Sequence, residues 1–169
     1  MFWEFWKDKP DEVETRIIEM REAKATVYIE IPPAKVWEHL SDVRNYNQWV
    51  RWFKVTDPEQ VTRLEKAGDC FDYETTVIGL RFTGRMVSVE RIPPQRSVFC
   101  LVAFYRGGGE YLLEPLLNGT RVHYTIWGEI PSSYVGKLID RVLFAGEIKQ
   151  HMQDHLNRLK AWCEGTPLP

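Results

Sequence analysis

The sequence predicts an α+β fold in which a curved antiparallel sheet closes around one long C-terminal helix. Three observations lead there. One alternating segment is followed by two short helical ones in "IEIPPAKVWEHLSDVRNYNQWV"; a run of alternating segments punctuated by Pro, Gly and Asn comes next; and an apolar stripe at the helical period ends the chain. A sheet and a helix that each carry one apolar face bury both by packing together, so the sheet must bend around the stripe.

Residues 1–23 read as an N-terminal extension. "MFWEFWK" crowds Phe2, Trp3, Phe5 and Trp6 together, and after "DKPDE" Val13, Ile17 and Met20 recur at helical spacing, which predicts a short helix. The aromatic tip is expected to pack on its own domain or on a partner subunit, so a homodimer stays open. The alternative is peripheral membrane contact, but interfacial helices carry a richly basic face and this segment has at least as many acids as bases.

A single domain is expected over residues 24–164, followed by a tail at 165–169. In "TVYIEI", Val27, Ile29 and Ile31 share one face and Thr26, Tyr28 and Glu30 the other, as in a half-buried strand. Pro32 and Pro33 stop it. Pro33 suits the first turn of a helix, where its missing N–H has no partner to lose. Val36, Trp37 and Leu40 then make one apolar face, and Ser41 and Asp42 can end that helix and cap a second over Val43–Trp49.

Further strands are expected near Phe53–Thr56, Cys70–Ile78, Phe82–Ile92, Ser97–Tyr105, Glu110–Leu116 and Thr120–Ile130. Hairpin turns are placed at "IPPQRS", "RGGGE" and "NGT", the last on Asn118-Gly119, a pair that tolerates positive φ. Gly107-Gly108-Gly109 mimics a phosphate cradle, yet no Gly-Lys-Ser/Thr follows and a strand comes next, so a turn is the better reading. Asn118-Gly119-Thr120 matches a glycosylation acceptor and is likewise read as a turn. One long helix is expected from about Ser132 to Cys163. Tyr134, Leu138, Val142, Ala145, Met152, Leu156, Leu159 and Cys163 form its stripe, and Gly165 with Pro167 ends it.

Composition narrows the function classes. A formal net charge of -2 with scattered Lys and Arg leaves no basic stripe for a phosphate backbone, so no nucleic-acid partner is expected. Three separated cysteines argue against a disulfide framework or a zinc knuckle. With no membrane-length apolar run and no signal-peptide pattern at the start, the expected location is the cytoplasm.

The order of elements, with "IPPAKVWEHLSDVRNYNQWV", "GDCFDYETTVIGLRFTGRMVSVERIPP" and "GGGEYLLEPLLNGTRVHYTI" before the long helix, resembles the SRPBCC superfamily of START-like domains. That group takes in the birch-pollen-allergen fold, polyketide cyclases and coenzyme-Q-binding proteins. The resemblance implies a helix-grip fold, a curved seven-stranded antiparallel sheet around the C-terminal helix with an apolar cavity between them. It does not imply one activity. It also implies that Trp37 and Leu40 plug the core while Tyr46, Trp49, Trp52 and Phe53 stand near the cavity rim, with Trp49 either a core residue or a ligand contact.

Alternation sends Phe71, Tyr73, Val77, Tyr111, Leu113, Val122, Tyr124 and Ile126 inward and turns Asp72, Glu74, Glu110, Glu114, Arg121, His123 and Glu129 outward. The expected ligand-binding residues are Trp49, Tyr73, Phe82, Tyr111, Tyr124, Tyr134, Leu138 and Val142. An apolar pocket with a few hydroxyls suits a lipid, quinone, sterol or polyketide, and the alternative is that the tyrosines fill a core. Binding of such a molecule for storage, transport or sensing is the favoured function. The alternatives are a cyclase or dehydratase working through Tyr73, Tyr111 or Tyr124, and a partner-binding module using the N-terminal aromatics. No catalytic residue is assigned. His39, His123, His151 and His155 are all expected to face away from the core, and Glu90, in phase with Phe82 and Met86, is a buried acid or an exposed strand end. His151, His155 and Glu147 share helical spacing but lack the metalloprotease pattern, so neither metal nor cofactor is expected.

Overall fold

The computed structural model describes residues 20–58, 63–77, 80–102, 106–129 and 147–169. The N-terminal aromatics, most of the expected N-terminal helix, and the stripe residues Tyr134, Leu138, Val142 and Ala145 lie outside them. Seven strands pair antiparallel in one sheet: β1 (Met20–Ile29), β2 (Lys54–Val55), β3 (Cys70–Val77), β4 (Leu80–Ile92), β5 (Arg96–Val102), β6 (Arg106–Leu116) and β7 (Gly119–Glu129), in the order β1-β7-β6-β5-β4-β3-β2. Helix α1 (Pro33–Ser41), a 3-10 turn (Val43–Asn45) and α2 (Tyr46–Trp49) follow β1, and α3 (Glu147–Glu164) crosses the inner face of the sheet. The helix-grip arrangement expected from the sequence is present.

Strand β1 is described from Met20, paired with Glu129, so the sheet takes in residues 20–23, ahead of the expected boundary at 24. Ala23 hides this start, since alanine favours helix in isolation, whereas the alternation is legible from Ala25 on. Here the small side chains of Ala23 and Ala25 lie on the inner face, where Ala23 packs with Ile148 and Met152 of α3. Met20 therefore belongs to a strand and not to the expected N-terminal helix.

Local chemistry sets the helix ends. Pro33 occupies the first turn of α1, and the Asp42 carboxylate accepts from the Arg44 backbone N–H at 3.3 Å. Ser41 does not cap; its hydroxyl donates back to Trp37 O at 2.7 Å. Gly165, at φ 65°, ends α3. Its N–H meets Trp162 O at 3.4 Å and the Thr166 N–H meets Ala161 O at 2.9 Å, the paired bonds of a Schellman motif. Arg158 ties α3 to the end of α2 by donating to Trp49 O at 2.7 Å.

Two turns depart from expectation. Gly107, Gly108 and Gly109 lie inside β6, paired with Leu101, Cys100 and Phe99. A Cβ on Gly109 would sit 2.4 Å from Phe99 Cζ, and one on Gly108 would sit 2.5 Å from Phe99 O and 3.0 Å from the Trp127 ring. Aromatic rings from the neighbouring strands thus fill the space that side chains would take, and the glycines serve packing instead of a turn. At the β6–β7 hairpin the turn residues are Leu117 and Asn118, while Gly119 already pairs with Leu116. Gly119 has no left-handed φ. A Cβ there would meet Ile29 O at 2.3 Å, so close approach of β1 selects the glycine.

A bulge in β4 has the largest consequence for the site. Pairing with β5 runs Met86↔Leu101 and Ser88↔Phe99, then resumes at Glu90↔Val98 and Arg91↔Ser97, leaving Val89 as the extra residue. One inserted residue exchanges the two faces of everything beyond it. Glu90, in phase with Met86 before the bulge, is carried to the outer face, where it pairs with Arg96. It is not a buried acid. Arg91 is turned inward in its place.

Candidate functional site

Between the sheet, the α2 region and α3 lies a pocket of about 130 Å³, well beyond the room that one water needs. Tyr46 and Trp49 of α2, with Trp52 and Phe53 just after it, supply one wall. Asn47 pins that wall to β2 through both its amide groups, to Val55 O at 3.0 Å and from Val55 N at 2.7 Å, and the Thr75 hydroxyl donates to Trp52 O at 2.6 Å. The sheet contributes Tyr73, Met86, Phe99, Tyr111 and Tyr124, and α3 contributes Ile148 and His155.

Of the residues expected to bind ligand, Trp49, Tyr73, Tyr111 and Tyr124 are brought together here. Trp49 is 1% exposed and Tyr46 is buried beside it, so both form the wall and not the rim; Trp52 and Phe53 keep partial exposure. Phe82 stands apart. It shares the inner phase of β4 with Met86 but lies four residues away, about 13 Å along the strand, outside the described lining. Tyr134, Leu138 and Val142 lie outside the described residues.

Among the lining residues that neither alternation nor the family resemblance places at the pocket, two are titratable. His155, expected to face outward, is 4% exposed, and its Nε2 lies 2.7 Å from Tyr111 Oη. The Tyr111 and Tyr124 rings stack at 4.5 Å, and the imidazole packs 5.1 Å from Trp49 and 5.2 Å from Tyr124. Burial in this aromatic nest, with the Arg158 charge adding to it, pushes the imidazole down to about 3, so it is neutral at physiological pH. Desolvation likewise holds the Tyr111 phenol well above its ordinary value. The signal for His155 was in its spacing: three residues after Met152 and four before Leu159, it falls on the helix stripe. His151 does face solvent, beside Trp52 at 5.3 Å. His123 lies on the outer face near Glu114 at 3.2 Å. Among the described residues no three His, Cys, Asp or Glu side chains gather as metal ligands, and the three cysteines are free.

Arg91 is the other. Its guanidinium lies 4.2 Å from the centroid of the Trp37 ring, donates from Nη1 to Ser97 Oγ at 2.9 Å and makes a short contact to Ser41 Oγ. Its Nε and the lining hydroxyl of Ser88 are buried without hydrogen-bond partners. The register then aligns the polar groups: Arg91 pairs with Ser97, Ser97 with Tyr111, and Tyr111 with Tyr124, one rung running across four strands. Uniform alternation could not reveal this rung, because the bulge had to be known first.

A curved seven-stranded sheet gripping a C-terminal helix defines the helix-grip class of protein. The chain belongs to the polyketide cyclase / dehydrase and lipid transport family, whose match covers residues 20–164. It is similar in fold to TTHA0849 from Thermus thermophilus (TM-score 0.69, 19% identity, covering 86% of this chain and 98% of that one). CV1439 from Chromobacterium violaceum is also similar (0.63, 16%, 85% and 96%), as is Ara h 8.0201 (0.59, 8%, 88% and 100%). At these identities the likeness is one of fold. Comparison with curated proteins returned no match. Among the described residues no helix is long and apolar enough to cross a membrane.

Proposed function

We propose that the protein binds a hydrophobic small molecule in this pocket, for storage, transport or sensing. The observation that carries the reading is an open volume of about 130 Å³ walled mainly by rings and aliphatic chains, with its few polar groups aligned on one rung. Aromatic walls favour a flat or ring-containing body, such as a sterol, quinone or polyketide.

The test uses N-phenyl-1-naphthylamine, a neutral dye that brightens in apolar surroundings, and an Ile126→Trp variant. Ile126 lines the pocket and is only half-buried, so an indole there would occupy open space. The parent should bind the dye, and the variant should lose binding while keeping its melting temperature. A parent that binds no dye, with a variant destabilised by about 1–3 kcal/mol as in an overpacked core, would overturn the reading.

A second reading, turnover by a cyclase or dehydratase, draws on the Tyr111–His155 hydrogen bond. An imidazole pushed down to about 3 is a weak base and a phenol held high is a weak acid, so this pair is better suited to positioning a ligand oxygen than to moving a proton. Native mass spectrometry of gently purified protein decides between them: a bound molecule recovered unchanged supports containment, and one recovered cyclised or dehydrated supports catalysis.

A further inference from the structure

The bulge at Val89 sends a cation into an apolar pocket, and that cation has no paired counter-charge. Among the described residues no carboxylate lies within ion-pair distance of Arg91; its partners are the Ser97 and Ser41 hydroxyls and the face of Trp37, all neutral. Asp69 acts on it only at longer range, and that carboxylate is already engaged by the backbone N–H groups of Glu65 and Lys66. Other arginines of the domain are paired: Arg85 with Asp72, Arg96 with Glu90 and Glu110, Arg121 with Glu114. A half-buried guanidinium with an orphaned Nε is costly unless an anion meets it. We propose that Arg91 is the anchor for a carboxylate on the pocket's ligand, making that ligand an apolar, ring-containing monocarboxylic acid.

Charge count and geometry select this class. Arg91 is the sole Lys or Arg among the described lining residues, which suits one negative charge better than the roughly two of a phosphate monoester. The guanidinium fork matches a planar carboxylate, and the orphaned Ser88 hydroxyl in the same lining is a further donor. Along the rung, Tyr111 lies two strands from Arg91, about 10 Å at the backbone. The acid therefore takes the Arg91 end, and the ring system extends across the sheet toward Tyr111 and Tyr124.

This inference rests on the pocket reading, and the test separates the two. Binding of 2-naphthoate and of 2-acetylnaphthalene is measured by calorimetry on the full chain. The two probes share a shape, and only the first carries a carboxylate. The parent should prefer 2-naphthoate by about tenfold or more, the scale of one charge-assisted hydrogen bond. Arg91→Gln should lose that preference while holding the ketone within about threefold of the parent, and Arg91→Lys, which keeps the charge but not the fork, should fall between. Equal affinities in the parent, or a preference that survives in a folded Arg91→Gln variant, would overturn the carboxylate anchor and leave the pocket reading standing. Should the Gln variant not fold, the parent's preference and the Lys variant decide. A parent that binds neither probe nor the neutral dye would sink both readings.

Discussion

The buried imidazole makes a quantitative demand on stability. His155 titrates near 6.5 in an unfolded chain and is pushed down to about 3 in the native one, so between those values the unfolded state binds the extra proton. Its contribution to stability is complete above about pH 6.5 and is lost as pH falls toward 3. From pH 7 to pH 5 the loss from this one group comes to about 2 kcal/mol. His39, also lowered by burial, acts in the same sense, and depressed carboxylates such as Asp42 contribute at lower pH. A variant comparison isolates His155 from both. His155→Gln cannot titrate, and its amide can still meet the Tyr111 hydroxyl. Urea unfolding of parent and variant at the two pH values should give a parent that loses about 2 kcal/mol more than the variant. Parallel losses, within about 0.5 kcal/mol, would mean that the imidazole is solvated and that the aromatic nest around it is wrong.

Two further outcomes follow from packing. Gly109→Ala puts a methyl 2.4 Å from Phe99 Cζ and 3.0 Å from Thr125 O, so thermal unfolding should show a loss of about 1–3 kcal/mol; an unchanged transition would show that the ring does not lie over β6. A chain starting at Met20 keeps every residue of β1 and the whole family match, so its calorimetric transition should stay cooperative; a broad transition would make the N-terminal aromatics part of the core.

Elements whose burial follows a single period were legible in the sequence. The β7 alternation placed Val122, Tyr124 and Ile126 inward, the Pro93–Gln95 turn followed Ile92 as expected, and Gly165 ends α3. What was not legible came from contacts between elements. Ala23 joins a strand because β7 and α3 are there to receive it; Gly108 and Gly109 of β6 join one because Phe99 and Trp127 reach across. His155 was a different kind of miss. Its spacing fits the stripe while its polarity argues for exposure, and burial in a ring nest instead keeps it neutral.

The bulge joins these two levels. Had Val89 paired regularly with Val98, Glu90 would continue the inner face after Ser88, opposite Ser97, and Arg91 would point outward beside Arg96 and Glu110. The pocket would then hold a carboxyl near the Tyr111 phenol, an arrangement that repels acids. With the extra residue, the outer face gains an acid to pair with Arg96 and the inner face gains a guanidinium stacked on Trp37. The exchange reverses the charge that a ligand meets while leaving the number of charged residues unchanged. Deleting Val89 would therefore take out only the extra residue: Ser88, Glu90 and Arg91 would become consecutive against Phe99, Val98 and Ser97, and both charges should keep their present faces, whereas pairing Val89 regularly would exchange them.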